Sequence, residues 1–162
     1  MVPTLNEFGD VVLLENVDAS RASSSSKPYG GLEIGDVVMA RSPTEPNDRE
    51  AYVCKRIHAL PGDPVPRDSR FDRSGASGTG AVGSYAGAGG AAANVVPPDA
   101  VWLLGDNQRN SIDSRHYGPV PLALITGRVI FRAHPADEAG PIVQRSPEDL
   151  GRPGDAIEKV TK

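Results

Sequence analysis

Two polar stretches, each at the end of an apolar run, hold the residues of this chain best suited to chemistry. In residues 105–118, a Gly-Asp turn is followed by Ser111, Asp113 and Arg115 at every second position. In residues 55–63, Lys55 opens a similar mixture of charged, apolar and turn-forming residues. Turn formation explains the Gly, Asp and Asn residues but not the ordered series. A lysine and a serine set in this way indicate proton transfer involving a hydroxyl group.

Lys55 lies inside an apolar run that predicts a strand. Alternation puts Val53, Lys55 and Ile57 on one face of that strand, and Cys54 and Arg56 on the other. Apolar neighbours desolvate a lysine amine and lower its pKa from ~10.4. A neutral amine near pH 7 to 8 can accept a proton from a hydroxyl group. The alternative is that Lys55 and Arg56 lie at a solvated strand edge.

The series Ser111, Asp113 and Arg115 allows two interpretations. If the segment is extended, all three side chains share one face. Asp113 and Arg115 then form an ion pair that fixes the local geometry, and Ser111 accepts a hydrogen bond from a neutral lysine amine. The alternative is a polar loop stabilised by Asx turns.

Composition excludes several classes of function. The 162 residues carry a net charge of −4, and the pI is near 5.3, so there is no basic surface for nucleic acid. A single cysteine, Cys54, excludes an internal disulfide and a four-cysteine zinc site. His58, His116 and His134 lack metal-ligand spacing. We therefore expect neither a metal nor a cofactor.

Short apolar runs bounded by Gly, Pro or Asp predict a mainly β fold with antiparallel strands. No window longer than about ten residues shows a helical period of 3.6 residues. No apolar run reaches the ~18–20 residues needed to span a bilayer. The predicted strands cover residues 11–14, 37–40, 51–60, 101–104 and 124–133.

We predict one domain, residues 1–135, interrupted by a flexible insertion and followed by a flexible tail. Residues 67–94 include a long run of Gly, Ala and Ser, which cannot bury enough surface to offset its ordering entropy. Residues 19–28 contain four successive serines and are also expected to be unordered. Residues 136–162 are polar and form the predicted tail.

Three blocks of the chain resemble the signal peptidase I family of serine proteases. The first is residues 1–5 with residues 9–12, the second is residues 53–63, and the third is residues 101–129. The blocks occur in the family's order and cover most of residues 1–135. Asn16 and residues 41–46 are most similar to subunit 1 of the mitochondrial inner membrane protease within that family. The resemblance implies an antiparallel β domain held to the membrane by an N-terminal helix.

The resemblance also implies roles for individual residues. Lys55 matches the general base, and Ser111 matches the residue that orients the lysine. Asp113 and Arg115 match the structural pair that supports the site. In the family, the nucleophilic serine immediately precedes the block that begins here at Met1. We therefore expect this serine to lie upstream of Met1, so that the chain as given lacks its nucleophile and is inactive alone.

Further expectations follow from the resemblance. Met1 and Pro3 are expected to contribute to substrate binding. The substrates are presequences of proteins sorted to the mitochondrial intermembrane space. A second inner membrane protease subunit is the expected partner, in a heterodimer. The implied location is the mitochondrial inner membrane, with the catalytic domain facing the intermembrane space.

Two other interpretations remain open. One is a non-catalytic paralogue that binds a partner subunit or a presequence, although such a protein has no need for a desolvated Lys55. A self-cleaving repressor-type domain with a Ser/Lys pair suits residues 105–121 less well. Ser42 and Ser114 lack a sequence context typical of nucleophiles, and Cys54 points away from Lys55.

Overall fold

The computed structural model describes residues 1–17, 28–45, 47–65 and 95–145, which are built around an antiparallel β-sheet of seven strands. Short β-branched and apolar runs form its strands, as their composition favours. The strands are β1 (Val11–Glu15), β2 (Val37–Arg41), β3 (Tyr52–Ala59), β4 (Ala100–Leu104), β5 (Val120–Pro121), β6 (Ile125–His134) and β7 (Gly140–Pro141). The helical elements are α1 (Ser114–Tyr117) and 3-10 turns at Pro28–Gly31, Leu122–Leu124 and Ala136–Glu138.

The strand order places β3 inside the sheet. The order is β1-β6-β2-β3-β4-β5, with β7 also paired to β6. Every strand pair is antiparallel. The mainly β, antiparallel fold predicted from the sequence is therefore confirmed. Because β3 is hydrogen-bonded to both β2 and β4, the alternative of a solvated strand edge at Lys55 and Arg56 is wrong.

The two faces of the sheet are covered by different apolar clusters, as strand alternation requires. Val53 and Ile57 pack in the larger cluster together with Val38 and Leu103. Cys54 packs on the opposite side against a smaller cluster. That cluster comprises Leu5, Val37, Val129 and Ile142, with Met1 and Val12 at its margin. The first residues of the chain therefore lie against the Cys54 face of β3.

Each of the five strands predicted from the sequence is present, with ends shifted by no more than one residue. The sequence missed β5 and β7, which are two residues long each. Runs this short carry no detectable alternation. Only their pairing with β4 and β6 defines them as strands.

The folded part of the chain continues past residue 135, where the sequence analysis placed the start of the tail. Ala136–Glu138 forms a 3-10 turn, and Gly140–Pro141 pairs with β6. The buried side chain of Ile142 then joins the smaller cluster. The expected insertion at residues 67–94 and the end of the expected tail lie outside the described residues. So does all but the last residue of the expected unordered segment 19–28.

The segment that carries Ser111, Asp113 and Arg115 is not one extended strand, as one of the two interpretations assumed. Asp113 is extended, with φ −147° and ψ −165°, but it caps the short helix α1. Its carboxylate accepts a hydrogen bond from the Arg115 backbone N–H, which helix N-caps commonly do. The polar turn and the ion pair therefore occur together, because the cap itself brings Arg115 back toward Asp113.

Candidate active site

The amine of Lys55 donates a hydrogen bond to the Ser111 hydroxyl oxygen at 3.1 Å. Lys55 is half-buried on β3, and Ser111 lies in the loop that follows β4. Burial lowers the pKa of Lys55 below its ordinary value, and the Asp113 carboxylate acts in the opposite sense. The site therefore favours a neutral amine more than water does, and a neutral amine is a base.

The side chains of Lys55 and Ser111 meet directly beside Gly105. A Cβ atom at Gly105 would lie 2.2 Å from the Ser111 Oγ and 3.6 Å from the Lys55 Nζ. Any larger residue here would displace Ser111 from the amine, so the absence of a side chain is a steric requirement. The Gly105 N–H also donates a hydrogen bond to Asp113 at 3.1 Å, which ties the end of β4 to the cap of α1.

Asp113 and Arg115 form a buried, bidentate ion pair beside Ser111. The Arg115 Nε and Nη2 atoms each donate to an Asp113 oxygen at 2.8 Å. Asp113 is fully buried. Burial alone would raise its pKa, but hydrogen bonds from Arg115, Gly105 and Ser111 lower the pKa below its usual range. A carboxylate that stays ionised holds this whole loop in place.

A second ion pair, which the sequence analysis did not predict, lies on the other face of β3. The Arg56 Nε and Nη2 atoms donate to the two Asp106 oxygens, each at 2.8 Å. The Arg56 side chain is 0% exposed and that of Asp106 is 1% exposed. Arg56 also donates to the backbone oxygens of Gly35 at 2.6 Å and Val143 at 3.2 Å. These bonds join the strand to the segments that contain Asp106, Gly35 and Val143.

Thr4 connects the first segment of the chain to this second ion pair. Its hydroxyl donates to the Asp106 carboxylate and accepts a hydrogen bond from Arg56 at 3.0 Å. Pro3 is exposed, and it lines a cavity of about 380 Å³ together with Thr4 and Val143. Met1 is partly buried against the smaller cluster. Met1 and Pro3 therefore lie near β3, but on the Cys54 side of the strand.

Other candidate bases and nucleophiles among the described residues have environments that do not suit either role. Burial lowers the pKa of His58 to about 4, which makes this imidazole a weak base at neutral pH. Burial raises the pKa of Cys54 to about 11, so its thiolate is scarce. The Ser114 hydroxyl is fully buried and accepts from the Leu103 N–H at 2.9 Å. Ser42 is buried and its hydroxyl lies 3.0 Å from that of Thr44.

Two further features bear on the class of site. Within the described ranges, no three His, Cys, Asp or Glu side chains come together as metal ligands would. Over the same ranges, no helix has both the length and the apolar character needed to cross a bilayer.

Residues 1–134 match the family model described as signal peptidase, peptidase S26. The chain belongs to the signal peptidase family, peptidase S26. The match covers the N-terminal segment, the lysine strand and the loop from Gly105 to Arg115 together. The family resemblance that the sequence indicated is therefore confirmed.

Several relatives of this signal peptidase domain are named as subunits of mitochondrial inner membrane proteases. Mitochondrial inner membrane protease subunit 1 of Mus musculus is 36% identical over 127 residues, which are 78% of this chain and 65% of the relative. Mitochondrial ATP-independent inner membrane protease subunit 1a of Arabidopsis thaliana is 37% identical over 140 residues, or 86% of this chain and 68% of the relative. Mitochondrial inner membrane protease subunit 2 of Saccharomyces cerevisiae is 27% identical over 145 residues, which are 86% of this chain and 66% of the relative. The chain thus spans about two thirds of the length of these proteins, and slightly less for the mouse protein.

The structure brings together Lys55, Ser111, Asp113 and Arg115, as the sequence predicted, but sequence reasoning missed the contacts of Thr4, Arg56 and Asp106. The Gly-Asp pair at residues 105–106 was interpreted as a turn, because Gly-Asp pairs recur along the chain. One signal was present. Alternation places Arg56 on an apolar face with Cys54, and a buried arginine needs a carboxylate partner. Only the folded chain shows that Asp106 is this partner.

Proposed function

We propose that the protein is a serine endopeptidase that uses Lys55 as its general base. This proposal depends on one observation. The half-buried Lys55 amine donates a hydrogen bond to Ser111, and both side chains lie next to Gly105, which has no side chain. A neutral amine has two N–H donors and one lone pair. One N–H donated to Ser111 restricts rotation of the amine and leaves its lone pair available to accept a proton from a second hydroxyl group.

The nucleophile in this proposal is a serine that directly precedes Met1 in the protein. Its hydroxyl oxygen attacks the carbonyl carbon of the scissile peptide bond as its proton passes to Lys55. The tetrahedral intermediate then breaks the carbon–nitrogen bond, and the lysine ammonium gives its proton to the leaving amine. Water next attacks the acyl ester and loses a proton to neutral Lys55. The bond from the carbonyl carbon to the serine oxygen then breaks, and the lysine ammonium returns its proton to that oxygen, which restores the serine hydroxyl and neutral Lys55.

The remaining site residues have supporting roles in this mechanism. Ser111 orients the amine, and the Asp113–Arg115 pair fixes the loop that carries Ser111. Met1 and Pro3, in the segment next to the nucleophile, contribute to substrate binding. No metal or cofactor enters any step, since the lysine supplies the proton transfer that a Ser/Lys mechanism requires.

The relatives suggest where this chemistry takes place. They are named as subunits of mitochondrial inner membrane proteases. We infer that this protein acts at the mitochondrial inner membrane, with its β domain in the intermembrane space. Its substrates are presequences of proteins sorted to that space, and its partner is a second, related subunit. A helix upstream of Met1 holds it to the membrane.

Cleavage of a presequence peptide by the complete protein tests this proposal. We expect cleavage by the wild-type protein, purified with the residues upstream of Met1, and a loss of at least about 10³-fold in Lys55→Ala, as for other catalytic bases. Arg49→Ala removes an exposed cation instead and should keep wild-type activity. Binding without cleavage by the wild-type protein would favour the non-catalytic alternative. Cleavage that persists in Lys55→Ala would exclude Lys55 as the base.

A further inference from the structure

A short turn, residues 1–5, packs the N-terminal segment against the rest of the fold. The Leu5 N–H donates to the Met1 carbonyl oxygen at 3.1 Å, and the Leu5 side chain is buried in the smaller cluster. Within this turn, the Thr4 hydroxyl is bonded to both Asp106 and Arg56. Hydrophobic packing of Leu5 is not directional. Directly after the turn, the Asn6 side-chain amide donates to Glu138 at 3.0 Å, but this contact is exposed. The Thr4 hydrogen bonds are part-buried, and they provide the directional contacts within the turn itself.

The two partners of Thr4 are chain neighbours of the residues that define the candidate base. Arg56 follows Lys55 in β3, and Asp106 follows Gly105 at the end of β4. Because Lys55 and Arg56 point to opposite faces of β3, the loop after β4 is held on both sides. Lys55 holds this loop through Ser111, and Arg56 holds it through Asp106. Thr4 attaches the N-terminal segment to that same loop.

We propose that Thr4 is a positioning residue that sets the distance between the serine preceding Met1 and the Lys55 amine, by anchoring the N-terminal turn to Asp106 and Arg56. This inference rests on the proposed function. A hydroxyl suits the position, because it donates to the carboxylate and accepts from the guanidinium at once. Valine has the same shape and can do neither. Serine can do both.

The experiment compares three variants of the complete protein in the presequence-peptide assay. Thr4→Val removes both hydrogen bonds but leaves the bidentate Arg56–Asp106 pair, Thr4→Ser keeps the hydroxyl, and Thr126→Val is the matched control. The Thr126 hydroxyl is also partly buried and donates to a backbone oxygen, that of Met39, at 3.0 Å. That bond joins β6 to β2 and does not touch the N-terminal turn.

We expect Thr4→Val to lower kcat by about 10- to 100-fold, because a misplacement of about 1 Å can cost about 10²-fold in rate. KM should change by a smaller factor than kcat, because Met1 and Pro3 lie in the same turn but the reacting atoms are more sensitive to a misplacement. Thr4→Ser should recover most of the kcat, and Thr126→Val should resemble the wild type. A wild-type kcat in Thr4→Val would overturn the inference, as would a Thr4→Ser protein as slow as Thr4→Val.

Hydrogen exchange provides a readout that does not depend on activity. In the complete protein, the peptide that contains Leu5 should exchange faster in Thr4→Val than in wild type or Thr4→Ser, while β3 peptides are unchanged. Equal exchange in all three proteins would contradict the anchoring role. Lys55→Ala in the presequence-peptide assay separates a failure of this inference from a failure of the proposed function. If Lys55→Ala still cleaves the peptide, the proposed function is wrong. If cleavage needs Lys55 but is unchanged in Thr4→Val, only the inference about Thr4 is wrong.

Discussion

At the scale of single residues, the environment of Lys55 decides what the site can do. A lysine in water is protonated at neutral pH and cannot accept a proton. Here burial lowers the pKa of Lys55, and Ser111 fixes one of its hydrogens. The nearby Asp113 carboxylate favours the ammonium form and raises the pKa of Lys55, and Arg115 offsets part of that effect. The bidentate pair therefore supports the base by fixing the loop that carries Ser111, whereas burial is what lowers the pKa of Lys55.

Activity should depend on the protonation state of Lys55 and therefore on pH. A lysine base acts only when neutral, so kcat/KM should rise with pH and be lost as pH falls through the pKa of folded Lys55. That pKa lies below the ordinary value of 10.5. Nuclear magnetic resonance of the Lys55 side chain, titrated in the folded and urea-unfolded chain, measures both values. A folded midpoint equal to or above the unfolded one would contradict the proposed desolvation.

At the scale of secondary-structure elements, the short helix α1 depends on its cap. The Asp113 carboxylate accepts hydrogen bonds from Gly105 and from the Arg115 backbone and side chain. The loop after β4 and the start of α1 therefore share one buried anion. Loss of its charge would leave Arg115, which is 8% exposed, as a cation without its carboxylate partner.

We predict that Asp113→Asn lowers the free energy of unfolding by about 3–5 kcal/mol, as expected when one partner of a buried pair is removed. Urea unfolding of this chain measures it. The matched control is Glu15→Gln, because the Glu15 side chain is 48% exposed in its pair with Arg128 and should contribute no more than about 1 kcal/mol.

The stabilisation by Asp113 should also depend on pH. Because hydrogen bonds lower the pKa of folded Asp113, its contribution to the free energy of unfolding is present above the unfolded pKa and is lost as pH falls through the folded pKa. An unchanged unfolding free energy in Asp113→Asn would show that the pair acts in catalysis alone.

The sequence predicted the elements that are determined by the local alternation of apolar residues. Alternation correctly placed Lys55 apart from Cys54, and the apolar runs gave β1, β2, β3, β4 and β6 nearly to their ends. It did not reveal the Arg56–Asp106 pair, whose members are 50 positions apart in the chain. It did not reveal α1 either, because four residues are too few for a helical period. These features depend on tertiary contacts.

At the scale of the whole molecule, the strand order is what assembles the site. The antiparallel β3–β4 pair carries Gly105 and its loop back alongside Lys55, and Ile57 lies opposite Leu103 in the register. The smaller cluster brings Leu5 and Ile142 to the opposite face, so both ends of the described chain meet near Arg56. The sequence resemblance predicted the blocks that matter, but only the fold shows that residues 1–5 contact the lysine strand.

The central claim is that a serine directly before Met1 acts with Lys55. Mass spectrometry of the endogenous protein, digested so that the peptide ending at Glu7 is recovered, tests it most directly. The account predicts a peptide that runs through a serine immediately upstream of Met1. A different residue at that position, or a protein that starts at Met1 itself, would contradict the proposed Ser/Lys mechanism.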